Sequence, residues 1–129
     1  MVVVDTGSAD ATVEIAESFG ARVGHFAWCD NFAAARNAAL GLATADWVLQ
    51  LDGDEVPDPE TASALRDVVR GYASHDGAVC FALPVRSYWP AREGTDVADA
   101  PTVHRGARLF RRLPGVCWVG DVHETVMTD

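Results

Sequence analysis

The stretch Trp47-Val48-Leu49-Gln50-Leu51-Asp52-Gly53-Asp54-Glu55 constrains the fold more than any other part of the chain. A mostly apolar run leads straight into the carboxylates of Asp52, Asp54 and Glu55. Bounded by Gly53 and Pro57, such a run reads as a strand buried on both faces, as in a parallel sheet. Its acids then emerge at the carboxyl end, the edge where open α/β sheets place their ligands. If the backbone stays extended, Asp52 and Asp54 point to the same side. Two hard oxygen donors with Gly53 between them suit Mg²⁺ or Mn²⁺ already carrying a phosphate. A solvated acidic turn is the competing reading, because Asp-x-Asp is common and only its context gives it meaning.

The 129 residues are enough for a single domain with a real core, although few for an α/β enzyme. A formal net charge of −9 argues against binding nucleic acid or an anionic membrane non-specifically. Arg105, Arg108, Arg111 and Arg112 form a local exception suited to face an anion. Cys29, Cys80 and Cys117 are odd in number and lack C-x-x-C spacing, which points to reduced, buried thiols in a cytosolic protein. No apolar run reaches transmembrane length, and Met1-Val2-Val3-Val4-Asp5 is not a signal peptide.

Along the chain, Val2 to Val4 reads as a short strand ending in the turn Asp5-Thr6-Gly7-Ser8-Ala9-Asp10. A helix follows, capped by Asp10 or Thr12, with Val13, Ala16 and Phe19 on one face and Gly20 at its end. Residues 21–26 read as a second strand, where His25 is a strand-end histidine with no ligand argument. Asp30 or Asn31 caps a helix over residues 32–40, rich in Ala. Pro57-Asp58-Pro59-Glu60 opens a helix whose buried stripe is Ala62, Leu65, Val68 and Val69. Residues 78–85 suit a core strand, and residues 86–105 a long mobile loop. Residues 107–111 and 116–119 then read as strands, and the chain closes on the polar cluster Gly120-Asp121-Val122-His123-Glu124.

Val2 to Thr12 resembles the V-V-D-D-G-S-x-D-x-T turn of family 2 glycosyltransferases. Ala35-Arg36-Asn37-Ala38-Ala39-Leu40 resembles their A-R-N-x-x-L helix, and Trp47 to Glu55 their strand with the D-x-D-E metal motif. Arg108-Leu109-Phe110-Arg111 with Gly120-Asp121-Val122-His123-Glu124 is similar to the R-L-F-R and G-x-V-H-E ending of a bacterial subgroup. The resemblance implies an α/β GT-A (Rossmann-like) three-layer sandwich with a mostly parallel central sheet. It places a donor-binding part at about residues 1–56 and an acceptor-side part at about residues 78–129 of one domain.

The same resemblance implies inverting transfer from a nucleotide-diphospho-sugar, assisted by a divalent cation, Mg²⁺ or Mn²⁺. Asp5, with Gly7 and Ser8 in its turn, would contact the nucleoside; Arg36 would lie near the base or diphosphate. Asp52 would sit by the ribose and metal, and Asp54 would bind the metal. Glu124 is the candidate base, with His123 beside the metal or diphosphate. The acceptor would be a glycan, a lipid-linked molecule or a peptide, at a cytoplasmic or peripheral inner-membrane location. Thr6 departs from the family by replacing a second acid. The family also has a strand before the first one here, so the chain is expected to be N-terminally truncated, weakly active alone and prone to form homo-oligomers. The rival readings are a non-catalytic nucleotide- or metal-binding fragment and a sugar nucleotidyltransferase. The latter would want a Gly-rich basic phosphate loop, and the sequence has none near its start.

Overall fold

In the computed structural model, residues 1–77, 79–88 and 101–128 are described. They form a mixed α/β structure in two compact units, Met1–Val48 with Arg111–Asp129, and Leu49–Phe110. The chain passes between the units within β3 (Trp47–Leu49) and β5 (Thr102–Arg111).

The first unit begins with a β-α-β arrangement. β1 (Val2–Asp5) pairs in parallel with β2 (Arg22–His25), and α1 (Thr12–Ser18) connects them. Parallel neighbours need such a crossover, because a tight hairpin reverses the chain. Val13 and Ala16 of α1 are half-buried, but Phe19 is 77 % exposed. Phe19 is the C-cap of this short helix, so the chain turns at Gly20 (φ +74°) before Phe19 can join the buried face. α2 (Phe32–Leu42) is capped by Asn31, whose side chain accepts from the Ala34 amide at 2.7 Å. A Cβ on Gly24 would come within 2.5 Å of Leu42 Cδ1, so the bare glycine in β2 makes room for the end of α2. The unit closes with the antiparallel hairpin β6 (Cys117–Val119) and β7 (Thr125–Met127). Ala33 and Trp118 are its buried apolar residues.

In the second unit, α3 (Pro59–Gly71) starts where its sequence demands. Asp58 accepts from the Thr61 amide at 2.7 Å, and Pro59 occupies the first turn, where no amide is needed. Leu65 is buried, with Ala62, Val68 and Val69 half-buried beside it, which is the expected stripe. β4 (Cys80–Ser87) alternates between exposed and half-buried residues and pairs antiparallel with β5. It is therefore a one-sided strand rather than the core strand expected over residues 78–85, of which Ala78 lies outside the described residues. β4 ends the order β3-β5-β4, and a sheet edge is where Pro84 is tolerated. Tyr72 meets Phe81 edge to face at 5.1 Å, and Leu109 and Phe110 are 3 % and 1 % exposed.

Among the described residues, parallel pairing is confined to β1 and β2. Bonds from the Gln50 amide to the Arg108 carbonyl and from the Arg112 amide to the Asp46 carbonyl make β3 and β5 antiparallel as well. The mostly parallel sheet expected from the sequence is thus not what these pairings give. β3 also differs from the doubly buried strand expected of it. Trp47 and Val48 are half-buried, while Leu49 and Leu51 are 39 % and 43 % exposed. β3 stands at the edge of its three-stranded sheet, with one strand beside it. β5 begins at Thr102, earlier than expected, so residues 102–105 are strand; residues 89–100 of the expected loop lie outside the described residues. The three cysteines are free, as expected, but Cys29 and Cys80 are exposed rather than buried.

Candidate functional site

At the end of β1, the chain folds back on the Asp5 carboxylate. The Gly7 amide donates to Oδ2 at 3.1 Å and the Ser8 amide to Oδ1 at 3.1 Å. Gly7, at φ +119°, takes a conformation that side chains disfavour. The register puts Asp5 opposite His25, whose Nδ1 lies 3.7 Å from Asp5 Oδ2. Hydrogen bonds from Ser8, its hydroxyl foremost, hold the Asp5 carboxyl below the usual range, with the Gly7 amide and His25 adding to them against the cost of burial. Asp5, Gly7 and Ser8 therefore form one constrained turn.

The A-R-N helix grips the C-terminal hairpin. Asn37 Nδ2 donates to the Trp118 carbonyl at 2.8 Å, and the Trp118 amide donates to Asn37 Oδ1 at 2.8 Å. One side-chain amide thus serves a strand residue as a neighbouring strand would. Arg36 Nε donates to Glu124 Oε1 at 2.5 Å, with both side chains largely buried, and the guanidinium lies 5.1 Å over the Trp118 ring. Asn31 Nδ2 donates to Asp121 Oδ1, and the Phe32 amide donates to the Asp121 carbonyl at 3.1 Å. These contacts fix the turn from Gly120 (φ +97°) to Glu124, in which His123 is exposed and held at φ +57°. Asn37 was given no role from the sequence, although it stands in the A-R-N motif and interrupts an Ala-rich helix.

In the second unit, the acidic turn closes on Arg108. Its Nη2 donates to Glu55 Oε1 at 2.5 Å and to Asp52 Oδ2 at 3.2 Å, and its Nη1 donates to Gln50 Oε1. Gln50 Nε2 donates to Asp52 Oδ1 at 2.8 Å, and the Asp52 amide donates to Glu55 Oε2 at 3.0 Å. Every carboxylate oxygen of Asp52 and Glu55 is therefore engaged. Asp54 is exposed and, among the described residues, makes no hydrogen bond or ion pair. Among those residues, no group of three or more His, Cys, Asp or Glu could by itself hold a metal ion. One or two carboxylates fit Mg²⁺ or Mn²⁺ when substrate phosphates complete the shell, and this turn offers that: one anchored carboxylate and one exposed without a partner.

Of the four arginines expected to face an anion, Arg105 is exposed. Arg108 serves carboxylates, and Arg112 donates to the carbonyls of Ala45 at 2.7 Å and Thr44 at 3.3 Å. Arg111 keeps a buried Nη1 without a hydrogen-bond partner among the described residues. Arg36 and Glu124, given separate roles from the sequence, are each other's partners. No helix among the described residues is long and apolar enough to cross a membrane.

Residues 1–113 match glycosyl transferase family 2, and the chain belongs to that family. It is 37 % identical over 126 residues to a TPR repeat-containing protein of Synechococcus elongatus, covering 98 % of this chain and 28 % of that protein. It is 38 % and 36 % identical over 77 residues to uncharacterized glycosyltransferases of Rickettsia conorii and Rickettsia felis, covering 59 % of this chain and 26 % and 25 % of those proteins. The chain thus spans about a quarter of the length of the curated relatives it matches.

Proposed function

We propose that the chain supplies the donor site of an inverting glycosyltransferase of the GT-A type. The enzyme would move a sugar from a nucleotide-diphospho-sugar to a glycan, lipid-linked or peptide acceptor. The observation that carries this reading is the family match over residues 1–113, which encloses an Asp-x-Asp turn with Asp52 anchored and Asp54 exposed and unpartnered. Asp52 and Asp54 would hold Mg²⁺ or Mn²⁺. Bound there, the ion supplies electrostatic stabilisation of the charge that develops on the leaving diphosphate.

The rest of the chemistry falls to side chains. Asp5 with Gly7 and Ser8 presents a rigid turn to the nucleoside. The acceptor hydroxyl attacks the anomeric carbon from the face opposite the diphosphate, whose bond breaks with its electron pair leaving on oxygen. The acceptor proton passes to Glu124; because Oε1 is committed to Arg36, Oε2 is the receiving atom. His123, held in a left-handed turn conformation, would lie by the diphosphate.

The alternative is a nucleotide- or metal-binding domain without turnover. It draws support from the engagement of both Asp52 and Glu124 with arginines. Incubation of the protein with nucleotide sugars and Mn²⁺ decides between the readings. Release of nucleoside diphosphate, lost in Asp54→Asn, supports the transferase. Release of pyrophosphate, or binding without any release, refutes it.

A further inference from the structure

Arg108 sits at an irregularity that aims its side chain. Along the β4–β5 ladder, Phe81 pairs with Leu109 and Ala82 pairs with Ala107, so Arg108 is the extra residue of a one-residue bulge. Bulges re-aim side chains and recur beside functional sites. Gly106 lies beside the result, since a Cβ there would stand at ordinary contact distance, 3.4 Å, from Arg108 Nε. The guanidinium is largely buried, and its Nε is buried with no hydrogen-bond partner among the described residues. A strand distortion and a largely buried guanidinium together deliver one positive charge to Asp52 and Glu55.

We propose that Arg108 is the built-in counter-cation of the Asp-x-Asp-Glu turn, so that a divalent cation is taken up only together with a nucleoside diphosphate. The proposal rests on the metal reading of Asp52 and Asp54 given above and adds an order of binding to it. A free divalent cation finds Asp52 and Glu55 already neutralised, and Asp54 alone is a poor site, because one carboxylate leaves most of the ion's shell to water. A cation arriving on a diphosphate brings phosphate oxygens with it. It then needs only Asp54 and the exchange of one Asp52 oxygen from the guanidinium. Arg108 touches neither nucleotide nor sugar in this scheme, and is a positioning residue.

The test is calorimetric titration of the full chain with MnCl₂ alone, and with Mn²⁺ in the presence of UDP, GDP, dTDP or ADP. Electron paramagnetic resonance of free Mn²⁺ provides a second readout. The wild type is expected to bind Mn²⁺ alone only in the millimolar range, and at least about tenfold more tightly with one of the diphosphates. In Arg108→Met, affinity for Mn²⁺ alone should rise by about ten- to a hundredfold, the equivalent of a lost charge-assisted contact. Its dependence on diphosphate should shrink accordingly. A purely structural role would weaken both kinds of binding together. Arg108→Lys, which keeps the charge, should stay near the wild type and serves if the Met variant does not fold. Micromolar binding of Mn²⁺ alone by the wild type, or an unchanged or weaker affinity in Arg108→Met, overturns the proposal while loss of binding in Asp54→Asn leaves the metal reading standing. No Mn²⁺ binding with any diphosphate overturns both.

Discussion

Replacing Asn37 with Ala should release the C-terminal hairpin from α2. The change removes two hydrogen bonds of 2.8 Å to the amide and carbonyl of Trp118, a residue only 6 % exposed. Each buried backbone group left without a partner costs about 1–3 kcal/mol. Ala is the better helix former by up to about 0.7 kcal/mol, a small offset. A net loss of about 1–6 kcal/mol follows, a large share of the roughly 5–15 kcal/mol that holds a domain folded. With about 2.1 cal/mol/K of unfolding entropy for each of the 129 residues, Tm should fall by about 5–20 °C. Differential scanning calorimetry and urea denaturation measure it. Asn37→Asp discriminates further: it keeps an acceptor for the Trp118 amide but sets a carboxylate against the Trp118 carbonyl, so it should be no better than Ala. A loss below about 0.5 kcal/mol for Ala, the range of ordinary surface changes, would refute the clamp.

Other perturbations probe the remaining contacts. The hydrogen bonds that lower the folded-state pKa of Asp5 contribute stability above its unfolded value, near 3.9, and that contribution disappears as pH falls through the lower folded value. Asp5→Asn should therefore be less stable than wild type at pH 7 and converge with it as pH falls through the lowered folded-state value; parallel acid limbs in urea titrations would contradict this. Removing either partner of the Arg36–Glu124 pair, as Arg36→Met or Glu124→Gln, should cost about 3 kcal/mol, with a coupling energy above about 1 kcal/mol in a double-mutant cycle; additive effects would show the pair to be incidental. Phe110→Ala should cost about 3–5 kcal/mol by emptying the most buried position, and a smaller loss in chemical denaturation would mean the site collapses without a cavity.

Local chemistry made part of this fold legible. Asn31 and Asp58 announce helix starts because their side chains can meet the free amides of a first turn, and the stripe from Ala62 to Val69 follows helical spacing. What depended on neighbours was harder to read. Leu49 and Leu51 belong to an apolar run, yet a strand at the sheet edge leaves them exposed. β7 is only three residues long, too short for a periodic signal. At the site, the spacing of Asp52 and Asp54 stood out, but the partners of Asp52 did not. Arg108 lies 56 residues away and reaches it through a bulge, which breaks the alternation that places strand side chains. The pairing of Arg36 with Glu124, 88 residues apart, was invisible for the same reason: each residue taken alone suits a ligand as well as it suits the other.

The most direct test of the donor site is a thermal-shift panel of UDP-, GDP-, dTDP- and ADP-sugars, each with and without Mn²⁺, on the wild type and on Asp54→Asn. A ligand that binds only the folded state stabilises it by RT ln(1 + [L]/Kd) and so raises Tm. One nucleotide class is expected to stabilise the wild type only when Mn²⁺ is present, and Asp54→Asn is expected to abolish the shift. No shift with any donor, or a shift that ignores both Mn²⁺ and the substitution, would contradict a metal-assisted nucleotide-sugar site at this turn.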